Sequence, residues 1–213
     1  MVEALLWDND GVLVDTEHLF FESTRRTLAR IGIELSLEQF LELSMRQGRS
    51  AFQLAIDRGW EKGQIANLKY ERDLLYSEML RRETRVLSGV RETLSVLHGR
   101  MRMAVVTSSQ RQHFDTMHAD TGLTRYFEFV LAREDYGETK PHPEPYLLAL
   151  DRLRMKAETC VAVEDSERGL ASARSAGVRC LVVPNGITRN CSFLGATGIF
   201  SGVADVLDAL AFL

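Results

Sequence analysis

The sequence has 213 residues, 45% of them hydrophobic and 26% charged, and its formal net charge at pH 7 is -4. This composition suits one soluble domain or a core with a smaller insertion, and the mixture of acids and bases argues against a general nucleic-acid or membrane binder. The three cysteines, Cys160, Cys180 and Cys191, lack metal-finger spacing, and we predict that the first two are buried beside strands in a reducing compartment. Without a signal-peptide pattern or an apolar stretch of membrane-spanning length, the sequence predicts a cytoplasmic protein.

The first strand is predicted at Ala4–Trp7, a short apolar run that stops at the polar loop Asp8–Gly11. Apolar residues then recur at helical spacing in several segments, with Ser36 as the cap of one of them. These segments are 16–31, a helix start at 36–39, 51–58 and about 64–82. No strand pattern interrupts them, so we predict an all-helical insertion after the first strand.

From about Leu87 onward, strand and helix patterns alternate. Strands are predicted at 101–106, 129–131, 161–163 and 179–183. Helices are predicted at 90–97, from the end of the strand motif at Ser109 to about 121, at 143–153 and at 203–210. A further helix is predicted to begin at the cap Ser166 and to end at Gly177. The segment 185–197, rich in small polar residues, is expected to be a surface loop. The alternation predicts an α/β fold whose parallel sheet is covered by helices on both faces.

Polar side chains follow three of the predicted strands at the point where each strand ends. They are Asp8 and Asp10, then Thr107 and Ser108, then Glu164 and Asp165, with Lys140 in a loop before a helix. Because ligands of open parallel sheets bind at the carboxyl ends of the strands, we expect these groups to converge at one edge. Four carboxylates brought together repel one another, and such hard oxygen ligands favour Mg²⁺ as the compensating cation.

These residue types suit phosphoryl transfer. Asp8 can attack phosphorus to form an aspartyl-phosphate, and Asp10 can protonate the leaving oxygen and then deprotonate water. The Thr107 hydroxyl and the Ser108 backbone N–H can bind phosphoryl oxygens, while Lys140 offsets the negative charge. Taken one at a time, each of these residues is more often part of a turn, a helix cap or a solvated side chain. Their order and shared position favour the functional interpretation.

Four ordered motifs resemble those of the haloacid dehalogenase-like hydrolases, in particular the branch that contains beta-phosphoglucomutase, phosphoglycolate phosphatase and sugar-phosphate phosphatases. The motifs are Asp8–Glu17, Val105–Ser109, Lys140–Tyr146, and Val163–Ser166 followed by Gly169, Ala173, Ala176 and Gly177. The resemblance spans nearly the whole chain. It departs from the usual family pattern at Ser88, where proline is frequent, and at Phe20, where beta-phosphoglucomutases carry a histidine.

The resemblance implies a three-layer, Rossmann-like α/β core formed by residues 1–15 and 84–213, with an inserted all-helical cap domain at 16–83. It implies that Asp8 is the nucleophile and Asp10 the general acid and base, with Lys140 in the catalytic set. Magnesium would be bound by Asp8, the backbone carbonyl of Asp10 and Asp165, with Glu164 close by. Both aspartates of the first motif are present, whereas dehalogenases of this superfamily lack the second, so dehalogenation is disfavoured.

Substrate selection is expected from the cap. The segment Arg46–Ser50 lies where the family places its specificity loop, so Gly48 can permit a close backbone approach and Arg49 can reach a second anionic group. Solvated arginines at a helix end are an equally good interpretation. Lys69 and Tyr70 are further candidates to face the cleft. The cap interior is predicted to include Met45, Phe20 and Phe52.

The leading hypothesis is a magnesium-dependent phosphatase for a small phosphate ester such as a sugar phosphate, acting as a monomer without nucleic-acid or membrane partners. One alternative is a beta-phosphoglucomutase-like phosphomutase, against which Phe20 counts. The alternative of another class is a receiver-like signalling domain, which also surrounds a phosphorylated aspartate with acids, a hydroxyl and a lysine. Receivers place their acidic pair elsewhere and lack a helical insertion.

Overall fold

The computed structural model describes residues 2–212 and shows a six-stranded parallel sheet. The strands are β1 (Ala4–Trp7), β2 (Arg102–Val106), β3 (Val130–Leu131), β4 (Cys160–Glu164), β5 (Arg179–Val182) and β6 (Gly198–Ile199). Their order across the sheet is β3-β2-β1-β4-β5-β6, so β1 lies between β2 and β4 and pairs with both. This is the strand order of a Rossmann fold, which confirms the predicted fold class.

The helices are α1 (Glu17–Ala29), α2 (Leu37–Phe40), α3 (Gln53–Ile56), α4 (Lys62–Glu83), α5 (Val90–Leu97), α6 (Arg111–His118), α7 (Glu144–Leu153), α8 (Glu167–Ser175) and α9 (Asp205–Leu210). Ser36 caps α2 as predicted, accepting a hydrogen bond from the backbone of Gln39, and a π-helical turn, Leu41–Arg46, continues that helix. Ser166 caps α8 in the same way.

The sheet forms the middle of three layers. All four residues of β1 are buried, and alternate side chains enter different apolar clusters because successive strand residues point to opposite faces. Ala4 and Leu6 belong to one cluster, whereas Leu5 and Trp7 belong to the other. A strand covered on both faces reads as a continuous apolar run, which explains the short buried pattern in the sequence.

The segment from α1 to α4, residues 17–83, contains no strand among the residues that the structure describes, and we refer to it as the helical insertion. Its interior is a separate apolar cluster that includes Phe40, Met45 and Phe52. Met45 and Phe52 are each 1% exposed, which confirms their predicted burial. The division of the chain into a core and a cap domain remains a prediction, with boundaries as given above.

Several local features differ from expectation. The edge strand β6 was not predicted, because two residues give too little alternation to detect. The predicted loop 185–197 contains a short 3₁₀ helix, Gly186–Thr188, and Thr188 is fully buried. Cys160 and Cys180 lie buried in β4 and β5, as predicted. Within residues 2–212, no helix combines the length and the apolar character needed to cross a membrane.

Candidate active site

The loops after β1, β2 and β4 meet at one edge of the sheet because these three strands are neighbours. The loop after β1 turns sharply at Gly11, whose φ angle is +79°. A Cβ atom at Gly11 would lie 2.1 Å from the Asp165 Oδ2 atom. Only glycine therefore tolerates both the backbone conformation and the close approach of the loop after β4. This contact brings the carboxylates of the first and fourth motifs together.

Lys140 connects these loops from within the protein. Its ammonium group donates hydrogen bonds to Asp8 Oδ1 (2.9 Å), to Glu164 Oε1 (2.6 Å) and to the Val106 carbonyl at the end of β2 (2.7 Å). The lysine is 2% exposed, so all three donors of its charged group are used inside the protein. The Tyr146 hydroxyl also donates to Glu164 Oε1. Lys140 thus holds Asp8 at one fixed position.

The electrostatics of the site favour an additional positive charge. Burial raises the pKa of Asp8 from 3.8 to about 7, with the Glu164 carboxylate adding to the rise and Lys140 opposing it. Burial, then Glu17 and Asp8, raise the pKa of Asp165 well above its usual value. Although burial lowers the pKa of Lys140, its two carboxylate partners outweigh this and keep the lysine charged. One lysine does not neutralise this group of carboxylates.

Three carboxylates are placed to hold a cation. Oxygen atoms of Asp8, Glu164 and Asp165 all lie within 4.8 Å of one another. Asp165 Oδ1 is buried and has no hydrogen-bond partner within residues 2–212, while Oδ2 accepts from the Thr188 hydroxyl at 3.2 Å. An orphaned buried carboxylate oxygen is costly unless a ligand completes it. The donor set therefore fits Mg²⁺, and Thr188 is a supporting residue that sequence reasoning missed inside a presumed surface loop.

Asp10 is surrounded by donors from three parts of the chain. Its Oδ1 atom accepts from Thr16 at 2.6 Å and from the Tyr76 hydroxyl at 3.3 Å. Its Oδ2 atom accepts from Ser109 at 2.8 Å and from Thr107 at 3.3 Å. Sequence reasoning missed Thr16, Ser109 and Tyr76. The first two stand inside the quoted motifs, whereas Tyr76 on α4 gave no signal of its own.

A cavity of about 170 Å³ opens above these carboxylates. On the core side it is lined by Asp8, Asp10, Thr107, Ser108, Ser109, Gln110, His113, Arg133, Lys140, Ser166 and Arg168. The Ser108 hydroxyl oxygen is buried and has no hydrogen-bond partner among the described residues. The predicted phosphate-binding residues Thr107 and Ser108 therefore lie beside Asp8 on the same wall, and Ser108 has bonding capacity left for a ligand.

The helical insertion supplies the opposite wall of the cavity through Glu17, Phe20, Arg72, Asp73 and Tyr76. The Arg72 guanidinium lies 4.4 Å from the centre of the Phe20 ring and donates to Asp73 Oδ1 at 2.7 Å. Phe20 packs against the interior of the insertion but is only partly buried, and it also lines the cavity, which differs from the prediction that it belongs to the cap interior. Lys69 and Tyr70, one turn earlier on α4, are exposed and lie outside the lining, because the turn of the helix directs them to solvent.

The segment Arg46–Ser50 connects two helical segments of the insertion and makes a close backbone approach at Gly48, as predicted, but Arg49 does not reach the cavity. A Cβ atom at Gly48 would lie 2.7 Å from the Lys140 carbonyl oxygen, so the close approach is to the backbone of the core. Arg46 bonds to Glu167 at the start of α8, with Nε and Oε2 2.6 Å apart. These contacts fasten the loop to the core. Arg49 is exposed, donates to Gln47 at 3.4 Å and does not line the cavity.

Glu17 is a cavity residue that the sequence analysis quoted in the first motif without assigning it a role. It begins α1 and is 8% exposed. Burial, followed by repulsion from Asp10, raises its pKa from 4.5 to about 8, although the nearby Arg168 opposes the rise. Burial therefore favours the protonated form of this carboxyl group, which can donate a hydrogen bond as well as accept one.

The chain is similar to known proteins over most of its length. Residues 5–183 match the family model of the haloacid dehalogenase-like hydrolases. A Thermotoga maritima protein described as a phosphorylated carbohydrates phosphatase is 32% identical over 183 residues, covering 83% of this chain and 82% of the relative. The protein CbbY of Rhodobacter capsulatus is 30% identical over 206 residues, covering 92% of this chain and 91% of the relative.

Solved structures give the same result. The crystal structure of CbbY from Rhodobacter sphaeroides in complex with phosphate has a TM-score of 0.81 and 27% identity, covering 97% of this chain and 96% of that one. The match extends over both the sheet and the helical insertion, and it overturns the alternative of a signalling receiver. The chain therefore belongs to the haloacid dehalogenase-like hydrolases and is an enzyme of that family.

Proposed function

We propose that this enzyme, a phosphoric monoester hydrolase, is a magnesium-dependent phosphatase that hydrolyses a small phosphorylated metabolite, most suitably a sugar phosphate, through an aspartyl-phosphate on Asp8. The observation that carries the proposal is the placement of the Asp8 carboxylate. It is fixed by Lys140, lies within 4.8 Å of a carboxylate oxygen of Asp165 and faces a cavity that Asp10 also lines. A monomer in the cytoplasm remains our expectation.

The first step transfers the phosphoryl group to the enzyme. Lys140 binds Asp8 Oδ1, which leaves Oδ2 to attack phosphorus. A bond forms between Oδ2 and phosphorus, the ester P–O bond breaks, and the leaving oxygen takes a proton from Asp10. In the second step Asp10 removes a proton from water, the water oxygen attacks phosphorus, and the P–O bond to Asp8 breaks. Inorganic phosphate and free Asp8 result.

The remaining residues position the transferring group. The Ser108 hydroxyl, which has no partner among residues 2–212, lines the cavity next to Asp8 and is suited to donate to a phosphoryl oxygen. The Thr107 hydroxyl lines the same wall and can do so when it exchanges its long bond to Asp10 for one to the phosphoryl group. Lys140 contributes through Asp8 and Glu164, since its donors are already used. Magnesium bound by Asp8, Asp165 and the Asp10 carbonyl, with Glu164 nearby, would offset the carboxylate charges and polarise the phosphoryl group.

The part of the substrate beyond the phosphoryl group meets a polar cavity wall. Three cationic side chains of this wall already hydrogen-bond to other protein groups. Arg72 donates to Asp73, Arg133 to backbone carbonyls, and Lys140 to carboxylates. Arg168 differs, since its Nε atom is buried without a hydrogen-bond partner among residues 2–212. Together with Glu17 and Asp73 it offers donors and acceptors for hydroxyl groups. The cavity of about 170 Å³ suits a small ligand, and a carbohydrate phosphate supplies such hydroxyls.

Transfer to water is favoured over transfer to a second sugar hydroxyl. A mutase needs a base to activate that hydroxyl, and Phe20 occupies the position at which beta-phosphoglucomutases carry histidine. In this structure the Phe20 ring is stacked under Arg72 and packs edge to face on Tyr76. It therefore provides an apolar surface rather than a proton acceptor.

The test is a hydrolysis screen of the purified enzyme over phosphorylated metabolites with Mg²⁺, measuring inorganic phosphate. We expect release from one or a few sugar phosphates and loss of activity on chelation, with recovery when Mg²⁺ is restored. Conversion of a sugar 1-phosphate to its 6-phosphate without phosphate release would instead establish the mutase. Undiminished hydrolysis in a strong chelator would refute the metal assignment.

A further inference from the structure

A buried histidine lies beneath the loop that carries Asp8 and Asp10. His118, the last residue of α6, is 6% exposed and is absent from the cavity lining. Its Nε2 atom is 2.7 Å from the Asn9 side-chain oxygen, and its Nδ1 atom is 2.9 Å from the Thr121 hydroxyl. Asn9 itself is fully buried between the two aspartates. A continuous set of hydrogen bonds thus connects Thr121 to the active-site loop.

The direction of these bonds follows from the neighbours of Asn9. Its Nδ2 atom lies 3.2 Å from Asp10 Oδ2 and 3.0 Å from the Met117 sulfur, and both of these groups are acceptors. The amide nitrogen must therefore face them, which leaves the amide oxygen to accept from His118. This assigns the histidine proton to Nε2 and makes Nδ1 the acceptor of the Thr121 hydroxyl.

Burial supports the neutral form of the ring that this arrangement requires. It lowers the pKa of His118 from 6.5 to about 4. The ring also packs against Phe114, with centroids 4.4 Å apart, which restricts its rotation. His118 is therefore held as a rigid single donor directed at Asn9.

Asn9 passes this constraint to the loop in two ways. Its side chain donates to Asp10, as described above. Its backbone carbonyl accepts hydrogen bonds from the N–H groups of Val12 (3.3 Å), Leu13 (2.8 Å) and Val14 (3.2 Å), which close the turn after Asp10. Moving Asn9 therefore disturbs the turn and the Asp10 carboxylate together.

We infer that His118 is a positioning residue for the phosphatase reaction: through Asn9 it ties the active-site loop to α6 and directs the Asp10 carboxyl group at the leaving oxygen of the substrate. The inference rests on the proposed function, because it assumes that Asp10 protonates that oxygen. It assigns no chemical step to His118, which touches neither substrate nor metal. Its effect on the reaction passes entirely through Asn9 and Asp10.

The choice of leaving group separates a positioning role from a structural one. A sugar or alkyl oxygen needs a proton as its bond to phosphorus breaks, whereas the nitrophenolate of p-nitrophenyl phosphate leaves without one. The value of kcat/KM reports transfer to Asp8, the first irreversible step. A misdirected Asp10 therefore lowers kcat/KM for the sugar phosphate and spares the aryl phosphate. A smaller fraction of folded enzyme would lower the apparent kcat/KM for the two substrates by the same factor.

The experiment measures kcat/KM of the wild type, His118→Leu and His118→Gln on the preferred sugar phosphate and on p-nitrophenyl phosphate, with Mg²⁺. His118→Leu removes the donor, and we expect about a tenfold loss on the sugar phosphate with less than about a twofold loss on the aryl phosphate. His118→Gln retains an N–H that can reach the Asn9 oxygen and should restore most of the loss. Asn9→Leu removes the acceptor of the same hydrogen bond, the Asn9 side-chain oxygen. It replaces His118→Leu in the experiment if that variant does not fold.

Asp10→Asn distinguishes failure of the inference from failure of the proposed function. If Asp10→Asn shows the leaving-group dependence and His118→Leu and Asn9→Leu do not, the positioning role is wrong and the proposed function stands. If Asp10→Asn lowers kcat/KM equally for both substrates, or lowers it for neither, Asp10 is not the general acid. The inference about His118 is then wrong as well. Equal losses for His118→Gln and His118→Leu would also overturn the inference.

Discussion

The two walls of the cavity are built differently. The core wall consists mainly of loops at the ends of β1, β2 and β4. Its Asp8, Asp10 and Lys140 side chains are buried and fixed by hydrogen bonds. The wall from the helical insertion consists of side chains on α1 and α4: Phe20, Arg72 and Asp73 are only partly buried, whereas Glu17 and Tyr76 are buried. The difference suggests a division of labour: fixed groups perform the chemistry common to all substrates, and the helical wall selects among substrates.

The largest expected effect tests the core wall. Replacing Asp8 with Asn removes the proposed nucleophile while keeping its size, so we expect kcat to fall at least about 10³-fold for every substrate. Steady-state kinetics on a sugar phosphate and on p-nitrophenyl phosphate would measure this. Asp57→Asn, an exposed position on the helical insertion, is the matched control. Substantial residual turnover by Asp8→Asn, or a loss of kcat for only one substrate, would contradict the proposal that the core wall performs the chemistry common to all substrates.

The second prediction concerns the stability of the core wall. The folded pKa of His118 is about 4 and the unfolded value about 6.5, so the unfolded state binds more protons between these pH values and stability falls as the pH is lowered. At pH 5 this histidine costs about 2 kcal/mol more than at pH 7.5. Since His118→Gln lacks this cost, the stability advantage of the wild type over this variant should shrink by that amount, as measured by urea unfolding.

Ile65→Val, in the separate apolar cluster of the helical insertion, is the control for this experiment because it has no titratable group and belongs to a different cluster from the one beside His118. It should lower the free energy of unfolding by a similar amount at both pH values. A difference between wild type and His118→Gln that does not change with pH would show that the histidine is not buried in its neutral form.

The third prediction tests the wall from the helical insertion. Arg72→Ala removes the surface that the guanidinium forms with Phe20 on the cavity wall and takes away a hydrogen-bond partner of Asp73. We therefore expect KM for the sugar phosphate to rise about tenfold, or about 1.4 kcal/mol of binding. KM for p-nitrophenyl phosphate and kcat for both should change much less. Arg49→Ala is the matched control, since Arg49 lies outside the cavity. A larger rise in KM for Arg49→Ala than for Arg72→Ala would indicate that the segment Arg46–Ser50 selects the substrate, as the sequence predicts.

The smallest effect is expected where the two walls are joined. Glu167→Gln weakens the pair with Arg46, whose side chain is 54% exposed, and such pairs contribute at most about 1 kcal/mol. We therefore expect a two- to fivefold rise in KM at low salt and a smaller one at high salt, because salt screens an exposed pair. Hydrolysis kinetics at two salt concentrations would measure this. A KM that is independent of both the variant and the salt would show that this contact does not hold the insertion on the core.

Much of the site could be predicted because its residues follow strands in fixed order. A buried parallel strand is a continuous apolar run, and the first polar residue after it marks the edge where ligands bind. This places Asp8, Thr107 and Glu164 together without knowledge of the structure. Residues such as Tyr76 and Thr188 could not be found in this way, since neither follows a strand and each reaches the site only because its segment packs there.

The sequence alone determined the α/β class, the helical segment after the first strand, and the acids, hydroxyls and lysine of the site, because hydrophobic period and strand-end position are local properties of the chain. Tertiary structure decided which cations line the cavity. It turned Arg49 to solvent and brought Arg72 and Arg168 to the cavity. It also placed His118 beneath Asn9, 109 positions away. Packing between distant segments determines such side-chain directions, and no local pattern encodes it.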